Sequence, residues 1–292
     1  MDFYKKYDRI IMAILSSFSF RLASKYLYWR AFHKRLNLKN PGTFNEELMK
    51  LKLETYASDP LIARCADKFE VRSYVTESGC PELLIPLLGV WETPEEIPFE
   101  SLPEQFVLKC NHGCGYNIVC TSKSSLDIPY GKRLLKKWLR EDFWRRFGEC
   151  NYKSIKKKIL CEAYIGTDTM PVPIDYKFYC FHGTAQYVMV CCGRSLGKPQ
   201  FFFFDRKWKL ARINQNGISA PDNFSLPKPK RLEDMFSYAD RLSAPFPFVR
   251  VDMYASDTDI YFGELTFTPA AAVDTARHPK ADRLFCNLLK QP

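Results

Sequence analysis

The stretch that decides the fold is FVRVDMYASDTDIYFGELTFTPAAA, residues 248–272. Apolar residues occupy every second position of its first half, which predicts a strand that turns Arg250 and Asp252 away from the core. After a polar turn, the second half predicts another strand, on which Glu264 and Thr266 share one face. Paired as a hairpin, the two strands would bring these four polar side chains together.

This group of side chains suggests a site for a metal and phosphates. Two acids beside an arginine and a hydroxyl group suit a hard cation with oxygen ligands, above all Mg²⁺. Asp252 and Glu264 are therefore candidate metal ligands. Without a metal, we expect two such close carboxylates to repel each other. The alternative interpretation is a half-exposed hairpin whose charges face only water.

The composition indicates a folded protein with a large core. Of the 292 residues, 46% are hydrophobic and 15% are aromatic, which excludes disorder and predicts one large domain or two closely packed subdomains. No apolar run reaches the roughly 18 residues that span a bilayer, and no cleavage site follows residues 10–20. We therefore expect a cytoplasmic location. The eleven cysteines, an odd number lying mostly in apolar runs, predict reduced and buried thiols.

The positive charge of the chain is concentrated in two segments. The net charge is +10, and residues 1–35 carry eight Lys and Arg against two Asp, while residues 131–158 carry eleven against three acids. Such segments suit a polyanion, whether a phosphorylated lipid carrier, an acidic polysaccharide, a membrane surface or nucleic acid. Residues 1–35 have the helical spacing of a segment in peripheral contact with an anionic membrane. A solvated helix face, or packing against the main domain, is the alternative.

A second region with phosphate-binding features is QFVLKCNHGCGYNIVC, residues 105–120. Two strand-like runs flank a loop that contains Gly113 and Gly115. The backbone amides of such a loop can close over phosphates, and Lys109 at the end of the first run can reach the phosphate oxygens. A hairpin with a flexible tip has the same pattern.

The rest of the chain mixes helical and strand-like patterns. Helices are predicted at residues 3–36 (one or two), 43–56, 60–76, 132–146, 232–242 and 282–289. Strands are predicted at residues 158–165, 175–181, 184–192 and 200–204. The strand at 175–181 carries Asp175 and Lys177 on one face.

The order of these features resembles the ATP-grasp superfamily, and most closely its TupA-like branch, named for teichuronopeptide biosynthesis. The resemblance runs from about residue 41 to the end and rests on the motifs ADKFEVRSYV, FVLKCNHGCGYNIVC, ILCEAYI, DYKFYCFHG and VRVDMY…YFGELTFTP. It implies an α+β ATP-grasp fold in which two α+β subdomains clamp ATP. The implied divisions are a basic helical segment at 1–40 and a family domain at 41–292, with a glycine-loop subdomain at about 104–165 and a metal and phosphate subdomain at about 166–292.

The resemblance also implies roles for individual residues. The nucleotide-binding residues would be Lys109, His112, Gly113, Gly115, Glu162, Tyr164, Ile165, Asp175 and Lys177. Of these, residues 162–165 would form the hinge beside adenine, and Asp175 would contact the ribose. The metal ligands would be Asp252, Glu264 and Thr266, while Arg250 and Lys177 would act on the transferred phosphoryl group. ATP-grasp ligases usually have Glu-x-Asn where this chain has Glu264-x-Thr266, and a threonine oxygen still suits the metal.

The family implies a reaction in which ATP phosphorylates a carboxylate and an amine attacks the acyl phosphate to form an amide. The expected substrates are an amine and the carboxylate of an acidic sugar or glycan, either a uronic acid or a glutamate chain of a bacterial surface polysaccharide or capsule. The expected cofactors are ATP and Mg²⁺. Phosphoryl transfer of this kind needs positioning and charge neutralisation rather than a covalent nucleophile. We expect no nucleic acid partner and a place of action at the inner face of the membrane.

Two other classes of function stay open. A glycosyltransferase of surface polysaccharide biosynthesis would use Mg²⁺ and similar acids, but the nearest Asp-x-Asp motif, Asp257-Thr258-Asp259, lies in the predicted turn. An adaptor for nucleic acid or membrane would use the basic segments. Its binding would collapse with salt and survive the loss of Asp252 and Glu264.

Overall fold

A computed structural model describes residues 6–167, 173–193, 199–256 and 258–291. Residues 3–5 of the predicted N-terminal helix and Asp257 of the Asp-x-Asp motif lie outside the described residues. In chain order, the described strands are β1 (Leu87–Trp91), β2 (Phe106–Cys110), β3 (Asn117–Cys120), β4 (Ile159–Ala163), β5 (Ile174–Phe181), β6 (Thr184–Cys192), β7 (Gln200–Asp205), β8 (Leu210–Ala211), β9 (Phe248–Ala255) and β10 (Ile260–Thr266).

Helices precede the strands at the N-terminus, lie between them, and follow the last strand at the C-terminus. In chain order, they are α1 (Lys6–Phe18), α2 (Phe20–Phe32), α3 (Phe44–Glu54), α4 (Pro60–Ala66), α5 (Val71–Glu77), α6 (Ile128–Arg140), α7 (Trp144–Phe147), α8 (Gln215–Ser219), α9 (Leu232–Ser243) and α10 (Pro279–Lys290). Within the described ranges, every helix is too short or too polar to cross a membrane.

Two predicted helices are wrong as single elements. The helix predicted at 60–76 is divided into α4 and α5 because Asp67 leaves the helical conformation, with φ −78° and ψ 116°. The Asp67 carboxylate accepts hydrogen bonds from the amides of Phe69 and Glu70, which stabilises the break. The basic helix predicted at 132–146 is divided into α6 and α7. It begins earlier than predicted, because the Asp127 carboxylate caps α6 by accepting from the amide of Tyr130.

The strands form two antiparallel sheets. The four-stranded sheet has the order β1-β4-β2-β3, and the six-stranded sheet has the order β10-β9-β5-β6-β7-β8. In the six-stranded sheet, Lys177 of β5, Asp252 of β9 and Glu264 of β10 are direct partners in one row across three strands. Arg250 and Thr266 pair in the neighbouring row. The predicted hairpin and its grouping of four polar side chains are confirmed.

A β-bulge in β10 decides which way Glu264 points. The pairing of β10 with β9 shifts between Phe262 and Glu264, so Gly263 is an extra residue without a direct partner. Ile260, Phe262 and Leu265 are buried, while Glu264 is only partly buried. The bulge therefore changes which residues of β10 face the core. Without it, Glu264 would face the same core as Phe262.

The six-stranded sheet separates two hydrophobic cores. On one face, Phe178 packs against Phe236 of α9, with ring centroids 4.9 Å apart. On the other face, Phe248 packs against Phe44 of α3, also with centroids 4.9 Å apart. Because side chains alternate along a strand, this second face is the one that also carries the polar residues of β5 and β9. One end of that face therefore packs in a hydrophobic core, and the other end carries the candidate functional site.

The cysteines agree with the prediction from composition. All eleven are free thiols, and most of them are buried. Cys114 is the exposed exception. The subdomain boundaries near residues 40 and 165 stay predictions, because secondary structure alone does not divide the chain there.

Candidate functional site

A cavity of about 530 Å³ lies between the two sheets. This volume falls in the range of small-molecule and cofactor sites. From the four-stranded sheet and its loop, the lining residues are Lys109, Cys114, Gly115 and Asn117. From the three strands at the edge of the six-stranded sheet, they are Asp175, Lys177, Tyr179, Arg250, Asp252, Tyr254, Gly263 and Glu264. Residues far apart in sequence therefore meet around one space.

Arg250 is the centre of the network on the six-stranded side. Its Nε and Nη2 atoms donate to Oδ1 and Oδ2 of Asp252 at 2.6 and 2.7 Å. The Nη2 atom also donates to the Thr266 hydroxyl at 3.1 Å and lies 3.6 Å from Oε1 of Glu264. A two-pronged contact of this kind fixes the plane of the guanidinium group. Arg250 is thus held rigidly, with the cavity on one side.

Lys177 is buried beside two carboxylates. Its Nζ atom lies 2.7 Å from Oδ2 of Asp175 and 2.5 Å from Oδ2 of Asp252. Burial acts to lower the pKa of Lys177, but the charges of Asp252 and Asp175 more than offset this effect, so its pKa is raised. Lys177 therefore carries its positive charge at neutral pH.

Glu264 completes the row of charges. It accepts a hydrogen bond from the Thr266 hydroxyl at 3.0 Å. Burial alone would raise its pKa, but Lys68, Arg250 and Lys177 together lower its pKa to about 2. The repulsion expected between Asp252 and Glu264 is consequently outweighed, because cations lie between and beside the two carboxylates. The Glu264 carboxylate is therefore ionised and able to bind a cation.

Lys68 was missed by the sequence interpretation, although it lies in the quoted motif ADKFEVRSYV. Its Nζ atom donates to the Gly113 carbonyl at 2.6 Å and lies 3.7 Å from Oε2 of Glu264. It therefore bridges the glycine loop and the six-stranded sheet. The break in the helix at Asp67 places Lys68 there, since both Oδ atoms of Asp67 accept from the Asn111 amide group at 2.9 Å.

The four-stranded side carries a smaller charge cluster. Lys109 of β2 and Glu162 of β4 are diagonal neighbours, and Nζ of Lys109 lies 2.5 Å from Oε2 of Glu162. Arg72 of α5, a second residue missed by the sequence interpretation, contacts Oε1 of Glu162 at 3.1 Å. Glu162 lines a small pocket next to the main cavity. Tyr164 and Ile165 follow β4, and in the part of the chain that the structure describes they are not among the residues lining either space.

The glycine loop approaches the cavity through its backbone. Gly115 has φ +77°, a conformation that favours glycine. A Cβ atom on Gly113 would lie 2.8 Å from the rings of Phe143 and Tyr116, so only glycine fits there without movement. The predicted nucleotide ligand His112 has a different position. It is buried behind the loop, where its Nε2 atom lies 3.1 Å from the Trp138 carbonyl oxygen.

The far end of the cavity is built from residues that no sequence pattern indicated. Ala270, Ala271 and Ala272 all have positive φ, between 51° and 60°, in a turn directly after β10. Arg277 follows this turn and forms ion pairs with Asp274 at 3.0 Å and Asp282 at 2.7 Å. The cavity is also lined by Met189, Phe201, Phe203 and Asn214, and Met189 of β6 pairs with Lys177 of β5. This mixed apolar and polar end leaves room for a molecule beside the charged end.

The donor set fits Mg²⁺ that shares its coordination with phosphates. Asp252 and Glu264 stand opposite each other, and Thr266 adds a hydroxyl group beside Glu264. Among the described residues, no group of three His, Cys, Asp or Glu forms a complete metal cage. Mg²⁺ commonly binds through one or two carboxylates together with phosphate oxygens and water. Lys68, Lys109, Lys177 and Arg250 face the same cavity and suit the phosphates.

The family model described as TupA-like ATPgrasp matches residues 46–290. A comparison with curated proteins finds no significant match. Among solved structures, D-alanine–D-alanine ligase from Bacillus anthracis is 14% identical over 79% of this chain and 68% of that chain, with a TM-score of 0.47. D-cycloserine synthetase is 13% identical over 81% of this chain and 73% of that chain, with a TM-score of 0.47.

The family match covers most of the chain and includes both sheets and both sides of the cavity. It agrees with the α+β architecture of two antiparallel sheets and with the resemblance found in the sequence motifs. The chain therefore belongs to the TupA-like ATP-grasp family, which is of the ATP-dependent carboxylate–amine ligase type.

Proposed function

We propose that this protein binds ATP with Mg²⁺ and uses it to join an amine to the carboxylate of an acidic sugar or of a glutamate-containing surface polysaccharide. The observation that carries the proposal is the row of Lys177, Asp252 and Glu264 across three strands, with Arg250 and Thr266 in the next row. This row offers both signs of charge to a single ligand. A polyphosphate with a divalent cation has the matching charges.

The phosphates of ATP would lie at the charged end of the cavity. Lys177 and Arg250 would neutralise the transferred phosphoryl group, and their ion pairs hold both side chains in place before the ligand arrives. Such preorganised charges stabilise a transition state without a cost of reorientation. Asp252, Glu264 and Thr266 would hold Mg²⁺. When bound, the ion would neutralise and orient the phosphates.

The four-stranded side would cover the nucleotide. Lys109 and Lys68 would contact phosphate oxygens, and the backbone of Gly113 to Gly115 would close over them. Because Lys109 is paired with Glu162, the binding of ATP must compete with this ion pair. Glu162, Tyr164 and Ile165 would contact the adenine side.

The remaining nucleotide contacts are proposed from the family pattern. Asp175 would contact the ribose. His112 would contribute through its position below the glycine loop rather than through its ring, because that ring faces Trp138.

The second substrate would occupy the far end of the cavity. The acyl phosphate would form at the charged end of the cavity. The amine would attack it from the neighbouring part of the cavity, which forms the amide and releases phosphate. The aromatic and apolar residues Phe201, Phe203 and Met189 suit the face of a sugar ring or an aliphatic chain. The exposed cationic face of α6, with Arg133, Lys136 and Lys137, suits an acidic glycan outside the cavity.

An assay with hydroxylamine as the amine tests this proposal. The protein is incubated with ATP, Mg²⁺ and a panel of uronic acids and glutamate oligomers, and ADP and hydroxamate are measured together. Equal amounts of ADP and hydroxamate support the ligase, with Glu264→Gln as the control for background ATP hydrolysis. Release of a nucleoside diphosphate only from sugar nucleotides would instead indicate a glycosyltransferase and would overturn the proposal.

A further inference from the structure

Helix α1 presents its apolar side to solvent. Tyr7, Ile10, Ile11, Ile14 and Phe18 recur at three- and four-residue spacing, which places them on one face of a helix. Four of them are more than half exposed, with relative accessibilities of 74% for Tyr7, 52% for Ile10, 52% for Ile14 and 84% for Phe18. An amphipathic helix of a globular protein normally turns such a face to the core.

The opposite face of α1 is fixed against the protein by polar contacts. Asp8, Met12 and Ser16 are buried. Asp8 accepts hydrogen bonds from Arg30 at 2.9 Å and from the Tyr26 hydroxyl at 2.7 Å, both on α2. The Ser16 hydroxyl donates to the Arg145 carbonyl of α7 at 3.2 Å. Rotation of α1 to bury its apolar face would separate Asp8 from Arg30 and Tyr26 and would expose Met12, which is now buried.

Helix α2 continues the exposed apolar surface. Leu22 and Trp29 are 51% and 49% exposed. Leu22 lies in the first turn of α2, directly after Phe18 at the end of α1. Trp29 lies next to Tyr26, whose hydroxyl contacts Asp8 beside Tyr7. The seven apolar side chains of the two helices, here called the N-terminal apolar patch, are Tyr7, Ile10, Ile11, Ile14, Phe18, Leu22 and Trp29.

The surroundings of the N-terminal apolar patch are basic. Between residues 7 and 36 the one acidic residue is Asp8, and it is buried in its pair with Arg30. The exposed basic residues on and beside the two helices are Arg9, Arg21, Lys25, Lys34, Arg35, Arg145 and Arg146. The exposed surface of the helical pair therefore combines large apolar side chains with an excess of positive charge, since, of these described residues, only Arg21 and Arg145 lie within ion-pair distance of a carboxylate, those of Glu54 and Asp142.

We infer that the N-terminal apolar patch lies on an anionic lipid surface, with its apolar side chains in the boundary between headgroups and acyl chains. Apolar residues on one face with Lys and Arg around them are the features of a helix in the plane of a membrane interface. A second copy of this chain would bring two basic surfaces together, and their repulsion disfavours that occupant. The inference does not depend on the proposed reaction.

Sedimentation of the full chain with lipid vesicles tests this inference. The chain is expected to bind vesicles that contain phosphatidylglycerol and phosphatidylcholine, and to bind pure phosphatidylcholine much more weakly. Ile14→Glu together with Phe18→Glu should lower the partition coefficient by at least about tenfold. Val119→Glu is the matched control, because Val119 is an apolar residue of the edge strand β3 that is 53% exposed.

Two further measurements separate binding to lipid from misfolding and from dimer formation. Arg21→Gln with Lys25→Gln should weaken binding to phosphatidylglycerol vesicles while the thermal melt of the protein stays unchanged, which separates charge from folding. The oligomeric state in solution is measured for the parent and for Ile14→Glu with Phe18→Glu. The inference is overturned if the parent does not bind these vesicles, if the apolar variants bind as the parent does, or if the parent is a dimer that those substitutions dissociate.

Discussion

The two sides of the cavity use the same residue types in different ways. On the six-stranded side, Lys177, Asp252 and Arg250 come from adjacent strands and neutralise one another within the sheet. On the four-stranded side, Glu162 is held by Lys109 of the same sheet and by Arg72 from helix α5. The first group depends on strand register, whereas the second depends on how a helix docks. Substitutions should therefore affect the two sides differently.

The largest effect is expected from Asp252→Asn, which removes a charge that both Lys177 and Arg250 contact. If Asp252 holds Mg²⁺, loss of this ligand removes several kcal/mol of transition-state stabilisation, so ADP release should fall at least about a hundredfold. The stability of the protein without nucleotide should also fall, because two buried cations lose their shared partner. Asp222→Asn, at a fully exposed carboxylate, is the control. Unchanged turnover would place the metal elsewhere.

The next largest effect is a difference between two lysines. Lys177→Met should lower the free energy of unfolding by about 3–5 kcal/mol, because it takes the nearby cation from the buried carboxylate of Asp175, although Asp252 keeps Arg250 as a partner. Lys109→Met should cost only about 1 kcal/mol, since Glu162 keeps Arg72 as a partner. Both variants should bind ATP more weakly. Urea unfolding without nucleotide measures the loss in free energy of unfolding for each variant. Equal losses for the two variants would contradict the distinction between the two sides.

A third lysine, Lys52, tests how far neighbouring carboxylates set the pKa of a buried lysine. Lys52 is fully buried, and its Nζ atom donates to the Phe147 carbonyl at 3.3 Å. Burial lowers its pKa from 10.5 to about 8, although Glu149 and Cys150 partly oppose this change. Between these two pH values the unfolded chain binds the proton and the native chain does not, so the contribution of Lys52 to stability rises with pH.

Lys52→Met removes this dependence on pH. From pH 8 to pH 10.5, the parent should gain up to about 3 kcal/mol of stability relative to the variant. Urea unfolding of both proteins across this range measures the difference. Titrating groups that do not interact with Lys52 are common to both proteins and cancel. Parallel curves would show that the pKa of Lys52 is not lowered in the folded protein.

The smallest effect is expected from Thr266→Asn. Thr266 accepts from Arg250 and donates to Glu264, and an asparagine amide can do both. Turnover should stay within about threefold of the parent. Thr266→Val has a similar shape but can neither accept nor donate these hydrogen bonds, so it should be slower. If Thr266→Asn is as slow as Thr266→Val, the hydroxyl group has a role that the amide of the related ligases cannot supply.

The six-stranded side was predictable from sequence because it depends on local alternation. Arg250 and Asp252 face away from the core for the same reason that Val251 between them is buried. The grouping with Glu264 followed from the hairpin. The β-bulge in this hairpin could not be predicted, since nothing in the sequence distinguishes Gly263 from the other glycines. That single residue reverses the facing of Glu264, so the correct grouping also required a feature that alternation does not contain.

The four-stranded side and the far end of the cavity were less predictable because they depend on contacts distant in sequence. Lys68 faces the cavity because Asp67 bonds to Asn111, a residue of the loop after β2. The turn at residues 270–272 has positive φ at three alanines, for which the sequence offers no glycine signal. His112 looked like part of the phosphate loop, but its ring fills a space beside Trp138. Local patterns do not specify such packing.

The most direct test of the central claim is a titration of ATP into the protein, once with Mg²⁺ and once with EDTA, followed by calorimetry and by thermal melting. The account predicts binding and a higher melting temperature with Mg²⁺, because ligand that binds only the folded state stabilises it. Glu264→Gln should lose most of the effect of Mg²⁺. If the parent gives no shift at millimolar ATP and Mg²⁺, or Glu264→Gln responds as the parent does, the charged row between the sheets is not an ATP site.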